Sequence, residues 1–185
     1  MTTNTKENNL IQELEAKISI LEQENAQLAE RAEETMLLGL IAEEINASED
    51  PDHIINTGLE KTSILKDIPL CAMGELRQDI LTIHTYYFSL SNASPQKNSI
   101  ILSEEARAFS GPWHLSGERF HELGMEHLFD PSLFSPSSLY FIPSSSKLRP
   151  AEVFVFAISD QQRSLDTIST LLERIVEIIA ARLDN

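Results

Sequence analysis

The chain has 185 residues, 42% of them hydrophobic, with a formal charge of −15 and one cysteine. That length holds one compact domain plus an appendage, and the apolar share suffices for a real core. The acidic excess argues against nucleic acid and anionic membranes as direct partners, because both reward Lys and Arg. A lone Cys71 excludes an intrachain disulfide and the usual multi-cysteine zinc and iron–sulfur patterns.

Residues 1–9 are polar, lack the apolar core of a signal peptide and are expected to be disordered. No run of about eighteen apolar residues occurs, so no span and no direct membrane contact is expected, and the predicted location is the cytoplasm. From residue 10 to 35 a heptad repeat takes over. With Ile11 at a, the a sites are Ile11, Ile18, Asn25 and Ala32, and the d sites are Leu14, Leu21, Leu28 and Thr35. β-Branched residues at a with leucine at d favour a parallel homodimeric coiled coil, and a polar a site such as Asn25 fixes register at some cost in stability. The plainer alternative is a single amphipathic helix lying on its own domain. Glutamates dominate here: residues 1–48 hold ten, against Lys6, Lys17 and Arg31.

After Thr35 the heptad slips. Leu37, Leu38, Ile41 and Ile45 form the next apolar set, widened by Met36 and Leu40, and the helix is expected to end near Asn46-Ala47-Ser48. A wider face suggests contact with both a dimer partner and the chain's own domain. Asp50-Pro51 reads as an N-cap followed by proline in the first turn. The second helix carries Ile54, Ile55, Leu59, Thr62 and Leu65 and stops before Pro69. Leu70–Leu76 and Ile80–Leu90 are β-rich and joined by Arg77-Gln78-Asp79, which predicts a hairpin. Strict alternation puts Leu81, Ile83, Thr85 and Tyr87 on one face and Ile80, Thr82, His84, Tyr86 and Phe88 on the other. Both faces are partly apolar, so both sides of the sheet are expected to be covered.

Residues 91–99 read as a loop, followed by short helices near 103–108 and 117–129. Leu139–Ile142 and Val153–Ile158 are predicted strands, and a last helix runs from about 164 to 183. Its stripe of Leu165, Ile168, Leu172, Ile175, Ile179 and Leu183 is widened by Leu171, Val176 and Ile178, as if this helix too were two-sided.

This order resembles that of a GAF domain over residues 36–185. Ser110-Gly111-Pro112-Trp113 is similar to the family's S/T-G-x-P turn, although proline here directly follows glycine. Ser138-Leu139-Tyr140-Phe141-Ile142-Pro143 resembles its S-x-L-x-x-P strand, and Val153–Asp160 its penultimate strand. The resemblance implies an α+β fold: a central antiparallel sheet with the flanking helices (36–47 and 164–183) on one face, preceded by the long coiled-coil helix. The other face, with the irregular middle, would form a small-molecule pocket. It also implies a sensory or regulatory module of a bacterial signalling protein, of the histidine-kinase or nucleotide-cyclase type.

Particular activities of that family find little support in the residues. The cyclic-nucleotide pattern N-K-x-x-F is absent, and Cys71 is followed by Ala72 rather than the histidine of a bilin-attachment dipeptide. Methionine sulfoxide reduction by thiol–disulfide turnover needs more than one cysteine. Phe120-His121-Glu122-Leu123 resembles the phosphorylated-histidine box of sensor kinases, but Gly124-Met125-Glu126 replaces the usual continuation. Glu118 and His121 have the spacing of half a di-iron site without the other half, so no metal is expected. No cofactor is predicted. No catalytic motif or phosphate-binding glycine loop is present, so an enzyme is not expected.

What the resemblance leaves is a candidate pocket of Tyr86, Arg107, Phe109, Trp113, His114, Arg119, His121 and Tyr140. Two arginines among aromatic rings suit an anionic or planar ligand. The competing readings are a purely structural dimerisation or partner-binding protein and, further off, an unrecognised enzyme.

Overall fold

The computed structural model describes residues 3–78, 80–89, 99–101, 111–116, 138–158 and 165–185. The expected short helices near 103–108 and 117–129 lie outside them. The chain divides into two compact units, Met1–Leu37 and Leu38–Asn185. Helix α1 spans Thr3–Asn46. It starts well before residue 10, because once a helix is nucleated each added residue contributes a hydrogen bond at little cost.

Helix α2, Pro51–Lys66, forms as its sequence signals indicate. The Asp50 carboxylate accepts from the Asp52 N–H at 3.1 Å, and Pro51 occupies the first turn, where a missing N–H costs nothing. The helix stops at Asp67, which takes a left-handed φ of 53°. The Ile68 N–H then donates to the Ser63 carbonyl at 3.0 Å, and the Ser63 hydroxyl donates to the Ile68 carbonyl. Lys61 on α2 pairs with Glu44 near the end of α1 at 3.0 Å.

Among the described residues six antiparallel strands follow in chain order: β1 Leu70–Arg77, β2 Ile80–Phe88, β3 Ser99–Ile101, β4 Trp113–Ser116, β5 Ser138–Pro143 and β6 Glu152–Ile158. Their order in the sheet is β3-β2-β1-β6-β5-β4. Helix α3, Leu165–Leu183, closes the described chain. Strand β3 was not expected. Its three residues, too few to show alternation, pair Ser99–Ile101 with Ile80–Thr82 at the edge of the hairpin.

The sheet has two buried faces. On one, Cys71, Met73, Phe154, Phe156 and Ile142 pack with Ile41 and Ile45 of α1, with Ile54, Ile55 and Leu59 of α2, and with the α3 stripe. This is the helix face. On the other, Leu70, Ala72, Leu81, Ile83, Leu115, Leu139, Phe141, Val153 and Val155 form a second cluster. Losing one of the large buried rings, Phe141, Phe154 or Phe156, would cost about 3–5 kcal/mol.

Two expectations need correction. First, the strict alternation along β2 fails at a bulge between Met73 and Gly74, where the pairing skips His84. An extra residue on one strand exchanges the faces beyond it. Leu81 and Ile83 therefore share the second cluster with Phe88, while Tyr87 packs on the helix face. Second, the breadth of α3's apolar arc is consumed inside the domain. Leu171, Ile175, Val176 and Ile179 are all nearly sealed from solvent, and Ile178 packs at the margin of the same core. A wide stripe on α3 reflects burial against the sheet and its neighbouring helices, and needs no outside partner.

Candidate functional site

Of the eight candidate ligand residues, Arg107, Phe109, Arg119 and His121 lie outside the described residues, as does the Phe120–Leu123 stretch. The other four do not gather in one place. Trp113 on β4 packs its ring on Phe141 of β5, with centroids 5.1 Å apart, on the second-cluster face. Its neighbour His114 is paired in register with Tyr140, so both side chains point to the helix face, with ring centroids 6.2 Å apart. The Tyr140 hydroxyl donates to Glu173 Oε1 on α3 at 3.2 Å. Partial burial lowers the His114 pKa from its ordinary value.

Tyr86 pairs with Ala72 and so lies on the same face as Trp113. Yet strands β1, β6 and β5 separate β2 from β4. Four strand spacings put the two about 19 Å apart. A single small ligand on that face could engage one of them, not both. Successive positions of a strand point to opposite faces, which aims Trp113 and His114, the first two residues of β4, in opposite directions.

A cleft of about 310 Å³ opens on the helix side, lined by Pro112, Pro143, Ser144, Val176, Glu173 and Glu177 among others. Glu173 and Glu177 stand one turn apart on α3, so the cleft presents carboxylates and suits cationic or hydroxylated groups rather than anions. The sequence reading missed it. The only available signal was a pair of glutamates four residues apart beside a buried stripe, a pattern common on solvated helix faces.

Cys71 is fully buried on the helix face, and burial raises its thiol pKa well above the ordinary value, which suppresses the reactive thiolate. Among the described residues no group of three or more His, Cys, Asp or Glu side chains could hold a metal. No helix among them is long and apolar enough to cross a membrane.

The coiled-coil residues present a different geometry. Ile11, Leu14, Ile18, Leu21 and Leu28 are each 50–61% exposed on the single chain. Asn25 and Ala32 are exposed as well. Lys17 pairs with Glu13 one turn back at 2.7 Å.

No protein-family model matches the sequence, and no curated protein matches it either. Solved structures do match the fold. The GAF domain of an Acinetobacter phosphoenolpyruvate-protein phosphotransferase superposes with a TM-score of 0.60 at 13% identity, covering 80% of this chain and 91% of that one. The GAF domain of a putative sensor histidine kinase from Pseudomonas syringae gives 0.54 at 15% identity, covering 86% and 90%. The phycoerythrobilin-bound GAF domain of a cyanobacterial phytochrome gives 0.62 at 11%, covering 83% and 96%. The chain has the GAF fold.

Proposed function

We propose that this chain is a regulatory module of a bacterial signalling protein, of the histidine-kinase or nucleotide-cyclase type, acting as a parallel homodimer in the cytoplasm without catalytic activity of its own. The observation that carries the reading is the heptad row of Ile11, Leu14, Ile18, Leu21 and Leu28, half or more exposed on a helix that leads into a GAF fold. Burying the exposed half of each side chain is worth roughly 1 kcal/mol, and over two copies the sum reaches the range of the cost of association. Neither nucleic acid nor a membrane surface fits a charge of −15.

The ligand in this reading is a small planar or anionic molecule on the second-cluster face near Trp113. The bilin bound by the phytochrome domain is a precedent for a small molecule in this fold. To act as a signal, the ligand must distinguish two arrangements of the dimer. Native mass spectrometry of protein purified from cells tests this directly. A co-purified mass lost in Trp113→Ala supports it. Dimers with no added mass, and no thermal shift across a metabolite panel, would sink it.

One observation favours a second reading, a dimerisation or partner-binding module without a ligand. Leu115, Leu139 and Phe141 on the second face are fully buried by the chain itself. In that case the same experiment returns an empty dimer.

A further inference from the structure

The cleft beside α3 lies within the unit Leu38–Asn185, on the opposite face of the sheet from Trp113. Its volume of about 310 Å³ reaches the lower end of the small-molecule range, about 300–1,000 Å³. Pro112 at the approach to β4 forms one wall, and Pro143 and Ser144 at the exit from β5 form a second. The third is α3, with Glu173 and Glu177 one turn apart. Ile142 and Val176, both buried, give the cleft an apolar floor.

The polar groups around that floor are mostly acceptors. The two prolines carry no N–H, and the Ser144 N–H is already given to the Glu152 carbonyl at 2.8 Å. Glu173 accepts from the Tyr140 hydroxyl through Oε1 alone. Glu177 is exposed and, among the described residues, takes part in no hydrogen bond or ion pair. Like charges four apart on a helix destabilise it, and a cation seated between them removes that repulsion. No lysine, arginine or histidine is among the described residues that line the cleft, so the chain supplies no such cation there.

We propose that this cleft binds an aliphatic amine cation, its alkyl body on the floor of Ile142 and Val176 and its ammonium between the carboxylates of Glu173 and Glu177. An ammonium offers three donors and no acceptor, the complement of this lining, and its alkyl body gains by leaving water. A bare metal ion fits less well, because a hard cation demands a shell of oxygens, and half of this cleft is apolar. A quaternary ammonium lacks the donors and is recognised by aromatic rings, none of which is among the described lining residues. The site is separate from the one near Trp113, and neither depends on the other.

Titration of n-butylammonium chloride into the full chain at neutral pH, followed by amide NMR, tests it. The resonances of Ile142, Ser144 and Val176 should shift saturably. Butyrate, of similar shape and opposite charge, and tetramethylammonium, which has no donor, should leave them in place. Glu177→Gln should weaken binding about two- to fivefold, the worth of a solvent-exposed charge pair. Glu177→Lys should abolish it by setting an ammonium of the chain's own in the cleft. Both changes fall on an exposed side chain, so the fold is kept, and the same spectra verify that. Glu60→Gln, exposed on α2 and outside the lining, controls for diffuse attraction to an acidic chain and should bind as wild type does. The proposal is overturned by the absence of a saturable shift, by equal binding of butyrate or tetramethylammonium, by undiminished binding in Glu177→Lys, or by equal losses in Glu60→Gln and Glu177→Gln.

Discussion

The Ser146 hydroxyl donates to Asp184 Oδ1 at 2.6 Å, tying the β5–β6 connection to the residue just after α3. The Lys147 N–H donates to Oδ2 at 2.9 Å and the Leu148 N–H to Oδ1 at 3.3 Å. Two residues back, Arg182 Nη2 donates to the Ser48 carbonyl at 2.7 Å. The end of α3 is thus fastened both to a loop of the sheet and to the connection between α1 and α2.

These donors, the Ser146 hydroxyl first and the Lys147 N–H next, lower the Asp184 pKa from 3.8. A depressed carboxylate pKa contributes stability that is complete above the unfolded value and is lost as pH falls through the lower folded value. Asp184→Asn is expected to be less stable than wild type at pH 6, with the gap closing toward pH 3. Urea unfolding across that range measures it, and a gap that ignores pH counts against the clasp.

His114 acts in the same sense, in a higher pH window. Burial lowers its pKa below the ordinary 6.5, so the unfolded chain takes up the proton first as pH falls. Stability should decline as pH drops through 6.5 and level off below the folded value. His114→Gln should flatten that step. A ring titration by NMR at or above 6.5 in the folded protein would contradict the prediction.

Gly58 and Gly74 should respond unequally to alanine. At Gly58 a Cβ would lie 2.6 Å from Ile179 Cδ1, a side-chain tip that is itself fully buried. Overpacking costs about 1–3 kcal/mol, and the helix propensity of alanine returns about 1. At Gly74, beside the bulge, a Cβ would lie 2.5 Å from the Thr82 carbonyl oxygen, part of the paired backbone. Pairing must open there, with a loss of about 2 kcal/mol or more. Chemical unfolding should rank Gly74→Ala as the worse of the two.

Tyr140→Phe separates the faces functionally. Removing the hydroxyl that reaches Glu173 should cost about 0.5–1.5 kcal/mol. A ligand held near Trp113, on the opposite face, should bind Tyr140→Phe as it binds wild type and lose affinity for Trp113→Ala. Equal loss in both variants would move the binding site to the helix side.

Much of the fold could be read from periodicity alone. The three-four spacing of α1, the Asp50-Pro51 start of α2, the β-rich runs around Arg77–Ile80 and the stripe of α3 are local patterns, and burial enforces local patterns. The bulge was not legible, since nothing in Met73-Gly74 announces that His84 will be skipped, and it alone reassigns Tyr87 and Phe88. Nor was the separation of the candidate site residues. Tyr86 and Tyr140 were expected to join Trp113 from the sheet around one pocket. By itself the sequence determined where the main helices and strands run, and that α1 carries a row repeating every seven residues. Only the tertiary structure decided the strand order that holds Tyr86 far from Trp113, the register that turns Tyr140 toward α3, and which apolar residues of α1 stay uncovered. Strand order and register depend on pairings between residues distant in the chain, and local periodicity does not encode them.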